Sequence, residues 1–287
     1  MIPLENARVV KGMAFAGCSF TWGQGLYYYS HLPTLKEPKP DHYVDAWVTE
    51  GQRRYMASVR YPRLVANHFK TWEIVHPFNG GSNQSIIEWF ASSFKEMDQS
   101  VHPSRTHKTY DYSEISHLFL QLTQYPRNNF NIDIDGQVHN VGLNVVSFSN
   151  NDEDKHWQEL FRRWLTEKGW TFEDWEKKYI DDNVAQVKSF LEEFERNGVR
   201  TAMISWPSEY LTRIDADPWL HERHMHLYYN GNSYACIEHM MTANRELEIK
   251  YDHTNFIDTP KDHHPSMLCH RVLADNIINR IESQGYQ

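Results

Sequence analysis

The chain has 287 residues, of which 40% are hydrophobic, 14% aromatic and 23% charged, enough apolar content for one large core or two small ones. Its 29 Lys and Arg stand against 38 Asp and Glu, a formal charge of -9, which argues against a nucleic-acid partner because phosphate binding needs clustered positive charge. No stretch approaches the roughly 20 uninterrupted apolar residues of a membrane helix, so membrane insertion is not expected, and three cysteines (Cys18, Cys236, Cys269) with no basic-then-apolar leader point to a reduced, cytoplasmic protein.

Apolar runs bounded by turn residues predict buried strands at Val9 to Gly17, Trp72 to Pro77, Ile115 to Thr123 and Arg200 to Trp206. Between them, Tyr61 to Phe69 carries Pro62 at a helix start, and Ser85 to Met97 places Ile86, Trp89, Phe90 and Phe94 on one helical face. Thr171-Phe172-Glu173-Asp174 has the form of a capping box opening a helix that runs to Gly198, with Val184, Val187, Leu191 and Phe194 inward. Strands alternating with helices mean an α/β sheet. Two stretches exceed a minimal sheet: residues 24–60, rich in Tyr, Pro and His, and residues 128–170, where Asp135-Gly136 between alternating residues reads as a hairpin turn. With no repeat or linker composition, residues 1–287 are expected to form one elaborated domain with two insertions.

Two motifs carry chemistry. Gly17-Cys18-Ser19-Phe20-Thr21-Trp22-Gly23 follows the first predicted strand, where an open α/β sheet places a nucleophile, and Gly17 lets the chain turn sharply. By itself the pattern also fits a serine capping a helix. Asp262-His263-His264-Pro265 precedes the last amphipathic run; a catalytic base needs a histidine held by a carboxylate, though a polar turn before a helix would look the same.

Together these motifs resemble the first and last blocks of the SGNH (GDSL-like) hydrolases, and Asn79-Gly80-Gly81-Ser82-Asn83 is similar to that family's glycine block. The resemblance implies a three-layer α/β/α sandwich with a parallel, flavodoxin-like sheet of about five strands. It also implies Ser19 as nucleophile, His264 as general base, Asp262 as its orienting partner, and the amides of Ser19 and Gly80 in the oxyanion hole. The chain departs from the family at Cys18, which replaces Asp, and at the third block, where Leu122-Thr123-Gln124-Tyr125-Pro126-Arg127 offers no Asn. Gln124 has an amide and Thr123 a hydroxyl that could substitute.

Asn83, Arg127, Trp22 and Tyr27 are the further candidates for holding substrate. Arg127 would take an anionic group, or is a solvated surface residue; the aromatic residues after Ser19, including Tyr27 and Trp47, would stack on sugar rings or pack the first insertion onto the sheet. His221, His224 and His226 lack the companions of a zinc site, and Asp133-x-Asp135-Gly136 lacks the remaining ligands of a calcium loop, so no metal and no cofactor is expected. Cys18 reads as a small buried residue. The expected function is that of a serine esterase or carbohydrate O-deacetylase acting on an ester-bearing small molecule or glycan. The other class is a hydrolase fold kept as a non-catalytic binding or structural module, for example a virion component, with the insertions contacting a protein partner.

Overall fold

The computed structural model describes residues 10–18, 21, 26, 50–75, 82–94, 110–127, 129–142, 154–248 and 264–285. The four apolar runs are strands: β1 (Gly12–Ala16), β2 (Glu73–Val75), β3 (Ile115–Leu122) and β6 (Arg200–Ser205), all parallel, in the order β2-β1-β3-β6. Every residue of β1 is buried, as a central parallel strand requires. Beyond β6 the described residues add one parallel bridge, Met203 to His224, where the family resemblance implies a fifth strand.

The order reverses at β1. The β1-to-β2 connection carries α1 (Glu50–Val59) and α2 (Tyr61–His68), and the β2-to-β3 connection carries α3 (Asn83–Ser93). Right-handed crossovers running in opposite directions place their helices on opposite faces. Accordingly α2 packs with the last helix, α9 (Met267–Ser283), while α3 packs with the long helix α5 (Phe172–Arg196). On the first face the ring of Phe15 stacks on Phe119 at 5.4 Å and meets Tyr61 edge-on at 5.9 Å. On the second, Phe90, Phe94, Phe190 and Phe194 interlock. The result is a parallel sheet between two helical layers, the expected α/β/α arrangement.

Helix α5 starts as its sequence dictates: Thr171 Oγ1 accepts from the Asp174 amide and the Asp174 carboxylate accepts from the Thr171 amide. The Asp135-Gly136 turn joins β4 (Asn129–Ile134) to β5 (Gln137–Gly142) with both residues at positive φ, 53° and 76°, the geometry of a two-residue hairpin. Within the two insertions, two helices were not expected. The first insertion contains α1 near its end, and the second contains α4 (Lys155–Lys168), whose Phe161 and Trp164 lock with Phe130 of the hairpin and Trp175 of α5. The remaining elements, α6 (Leu211–Ala216), α7 (Pro218–Arg223), the hairpin β7 (Leu227–Tyr229) and β8 (Asn232–Tyr234), and α8 (Ile237–Ala243), cover the sheet margin past β6.

Candidate active site

Ligand sites in open α/β sheets form outside the carboxyl ends of the strands where the strand order reverses. Here that position lies between β1 and β3, and the two strands deliver Gly17-Cys18 and Thr123-Gln124 to it. The register pairs Ala16 with Leu120, which sets Gly17 beside Gln121. Gln121 is fully buried and holds the turn after β1: its Oε1 accepts from Thr21 Oγ1 at 2.9 Å, and its Nε2 lies 3.5 Å from Cys18 Sγ while donating to Leu122 O at 3.0 Å. Thr21 Oγ1 is also 2.7 Å from the Tyr61 hydroxyl. Since the single Thr21 proton goes to Gln121, the Tyr61 hydroxyl donates to Thr21. Burial pushes the Tyr61 phenol far above its usual range, so it stays protonated for that role.

Tyr61 links this turn to the C-terminal motif. Its backbone N–H donates to His270 Nδ1 at 3.2 Å and the two rings stack at 5.8 Å. His270 is held neutral, its pKa lowered to about 3, first by burial and then by the charges of Arg60 and His264. His264 itself is buried, one residue before an antiparallel bridge from Pro265 to Glu248. Ser266 caps α9 by accepting from the Cys269 amide at 3.2 Å. Thus Thr21 and His270 both bond Tyr61. Ser19, Trp22, Tyr27, Trp47, Gly80 and Asp262 lie outside the described residues.

At the end of β3, Asn83 reads the backbone of Thr123 from both sides, its Oδ1 accepting from the Thr123 amide at 2.8 Å and its Nδ2 donating to the Thr123 carbonyl at 3.0 Å. The same Nδ2 lies 2.9 Å from the Tyr210 hydroxyl. Asn83, expected on substrate, is instead fully buried with its amide committed to this tie. Thr123 Oγ1 is buried and has no hydrogen-bond partner among the described residues. Gln124 is half-buried, and Arg127 is half-buried in the helical turn Tyr125–Arg127 that follows. Beside that turn the Glu209 carboxyl accepts from the Tyr125 amide at 2.8 Å. Burial, with the charges of Glu238 and Glu176, raises its pKa to about 7. Cys18 is buried, as its sequence setting predicts. Gln121, Tyr61 and His270 were not among the sequence candidates. The available signal was a polar residue, Gln121, interrupting the apolar run Leu118 to Leu122 of a central strand.

Among the described residues no group of three or more His, Cys, Asp or Glu is placed to hold a metal ion, and no helix is long and apolar enough to cross a membrane.

No family model matches the chain, and no curated protein matches it. Similarity is found to solved structures of carbohydrate esterases. One, whose active site is described as displaying divergent catalytic and non-catalytic binding functions, is 12% identical with a TM-score of 0.42, over 95% of this chain and 68% of that one. A family two carbohydrate esterase from Clostridium thermocellum in complex with cellohexaose is 14% identical with a TM-score of 0.40, over 96% of this chain and 64% of that one. An active site mutant of a family two carbohydrate esterase from the same organism is 13% identical with a TM-score of 0.39, over 95% of this chain and 63% of that one. The chain thus spans about two thirds of the length of these proteins.

Proposed function

We propose that the protein is an SGNH-type serine hydrolase acting on an ester carried by a small molecule or a glycan. One observation supports this reading: Thr21, within the first motif, and His270, six positions after His264 of the second, both bond Tyr61, and His264 is near enough to His270 to lower its pKa. In this mechanism Ser19 Oγ attacks the ester carbonyl while His264 takes its proton, Asp262 fixing the imidazole tautomer. The tetrahedral oxyanion is held by the Ser19 and Gly80 amides together with the Thr123 hydroxyl. Thr123 is preferred over Gln124 because its hydroxyl has no partner among the described residues, where Asn83 pins the adjoining backbone. Collapse releases the alcohol with the proton from His264, and water, activated by the same histidine, hydrolyses the acyl-enzyme. Arg127, at the same edge, is the candidate contact for an anionic substrate group.

A fluorophosphonate probe tests this directly, because it reacts readily with an activated serine. The expected outcome is a single labelled peptide containing Ser19, loss of labelling and of short-ester hydrolysis in Ser19→Ala, and an unchanged melting temperature. Thr123→Val should lower kcat by about 100-fold, with Thr123→Ser largely restored. An unlabelled, ester-inactive wild type would leave the non-catalytic module as the better reading.

A further inference from the structure

Between the β7–β8 hairpin and helix α9 lies a cavity of about 750 Å³, a volume that takes a small organic molecule. None of its lining residues has a part in the reaction proposed above. His224, on its wall, is 6% exposed, and neither ring nitrogen has a hydrogen-bond partner among the described residues. The Ala235 backbone is near enough to raise its pKa, without a hydrogen bond of ordinary geometry, but burial outweighs this and keeps the ring neutral. A neutral imidazole offers one donor and one acceptor. Buried polar atoms are nearly always matched, so two unmatched nitrogens beside a cavity mark a place for a ligand.

The wall on α9 follows the row Leu268, Val272, Asn276 and Arg280, spaced by four, with Arg271 and Asp275 in the row beside it. Some of these groups are committed: Asn276 to the Tyr228 backbone, and Arg280 Nη2 to the Glu222 carbonyl at 2.7 Å, two residues before His224. Others are not. Arg280 Nε is buried without a partner among the described residues, and Arg271 is exposed and forms no ion pair with any of them. On this wall the two arginines outnumber the carboxylate of Asp275, in a chain whose formal charge is -9. Apolar surface stands beside them, with Leu268 43% and Tyr228 63% exposed. We infer that the cavity is a binding site for a small organic anion, whose carboxylate or phosphate accepts from Arg280 and His224 beside the charge of Arg271, and whose apolar body lies on Tyr228, Leu268 and Val272.

The test uses the full chain and titrates it calorimetrically with naphthoate and with naphthamide, its uncharged counterpart. Wild type should bind naphthoate at least about tenfold more tightly than naphthamide, since only the carboxylate makes charge-assisted bonds. Arg280→Gln should weaken naphthoate at least about tenfold, and Arg271→Gln, at an exposed position, about threefold. Asp275→Asn, which removes the opposing charge, should tighten it by about twofold. Tyr228→Ala should weaken both compounds alike, because it acts on the apolar body. Arg162→Gln, an equal change of charge at an exposed position of α4, serves as the control and should bind as wild type does. Wild type that binds neither compound, or both equally, overturns the inference, as does Arg280→Gln binding naphthoate as the control does. Should Arg280→Gln fail to fold, Arg271→Gln matching the control overturns it instead. Binding is read without ester hydrolysis, so an inactive Ser19 leaves every one of these outcomes unchanged.

Discussion

Gly17 meets a steric limit that few positions impose. An alanine Cβ there would lie 1.9 Å from Thr21 Oγ1, 2.8 Å from Thr21 Cβ and 3.0 Å from Gln121 Oε1, two of them side-chain atoms held by hydrogen bonds. Gly17→Ala should therefore destabilise the protein by roughly 1–3 kcal/mol, as over-packing does in a filled interior. Urea unfolding reads this, and an unchanged midpoint would mean that Thr21 has room to move. The sequence placed this glycine at a sharp turn, but the partner that excludes a side chain there was invisible to it. Gln121 was similarly hidden: within Ile115–Leu122 the apolar run outweighs one amide, and its contacts with Cys18 and Thr21 span 103 and 100 positions.

Between elements, one side chain of α9 bonds both backbone groups of a residue in β7. Asn276 Oδ1 accepts from the Tyr228 amide at 2.7 Å and its Nδ2 donates to the Tyr228 carbonyl at 3.1 Å, the two contacts a neighbouring strand would make. Replacing it with Leu leaves both backbone groups unmatched, at a cost of roughly 1–3 kcal/mol for each one that stays buried. In Asn276→Leu, hydrogen exchange at the Tyr228 amide should accelerate well beyond that of the β3 amides; equal protection in both proteins would show that the hairpin is held by other contacts. Local signals announced the elements whose chemistry is local: four apolar strands, the Thr171 cap, the Asp135-Gly136 turn. Helix α1, Glu-Gly-Gln-Arg-Arg-Tyr-Met-Ala-Ser-Val, has too few apolar residues to form a stripe and went unseen. Helix α4 does carry Trp157, Phe161, Trp164 and Leu165 at helical spacing, but its hairpin neighbour drew the whole segment into a β reading.

Across the molecule, burial keeps three histidines neutral. The pKa of His117 falls to about 4, that of His224 to about 4 and that of His270 to about 3, desolvation leading in each case. A depressed folded value means that the unfolded chain binds protons first. Stability is then complete above the ordinary value of 6.5 and declines as pH falls toward the folded values. Glu209 has the opposite sign: its raised value favours the fold below 4.5 and loses that advantage as pH rises through about 7. Among the described residues, three groups against one set the direction between pH 6.5 and 4.5, above the range where Asp111, Asp174 and Asp217, with lowered values, begin to contribute. The urea midpoint should therefore be lower at pH 5.0 than at pH 7.0, and His117→Gln should reduce the difference. A midpoint independent of pH, or rising toward acid, would contradict this.

The two margins of the sheet, as far as the described residues show them, offer little to an incoming strand. On one side the outermost strand, β2, is three residues long, and Glu73 within it turns inward to Arg60 at 2.7 Å and Arg63 at 3.2 Å. On the other, among the described residues, pairing past β6 stops after Met203 and His224, and the chain passes directly into the hairpin that Asn276 bonds. Short margins, an inward charge and a side-chain amide in place of a strand give an incoming extended peptide little backbone to copy. Sheet growth by addition of a second chain is thereby discouraged at both ends, and self-association of this kind should surface in solution once a substitution such as Asn276→Leu frees the Tyr228 backbone.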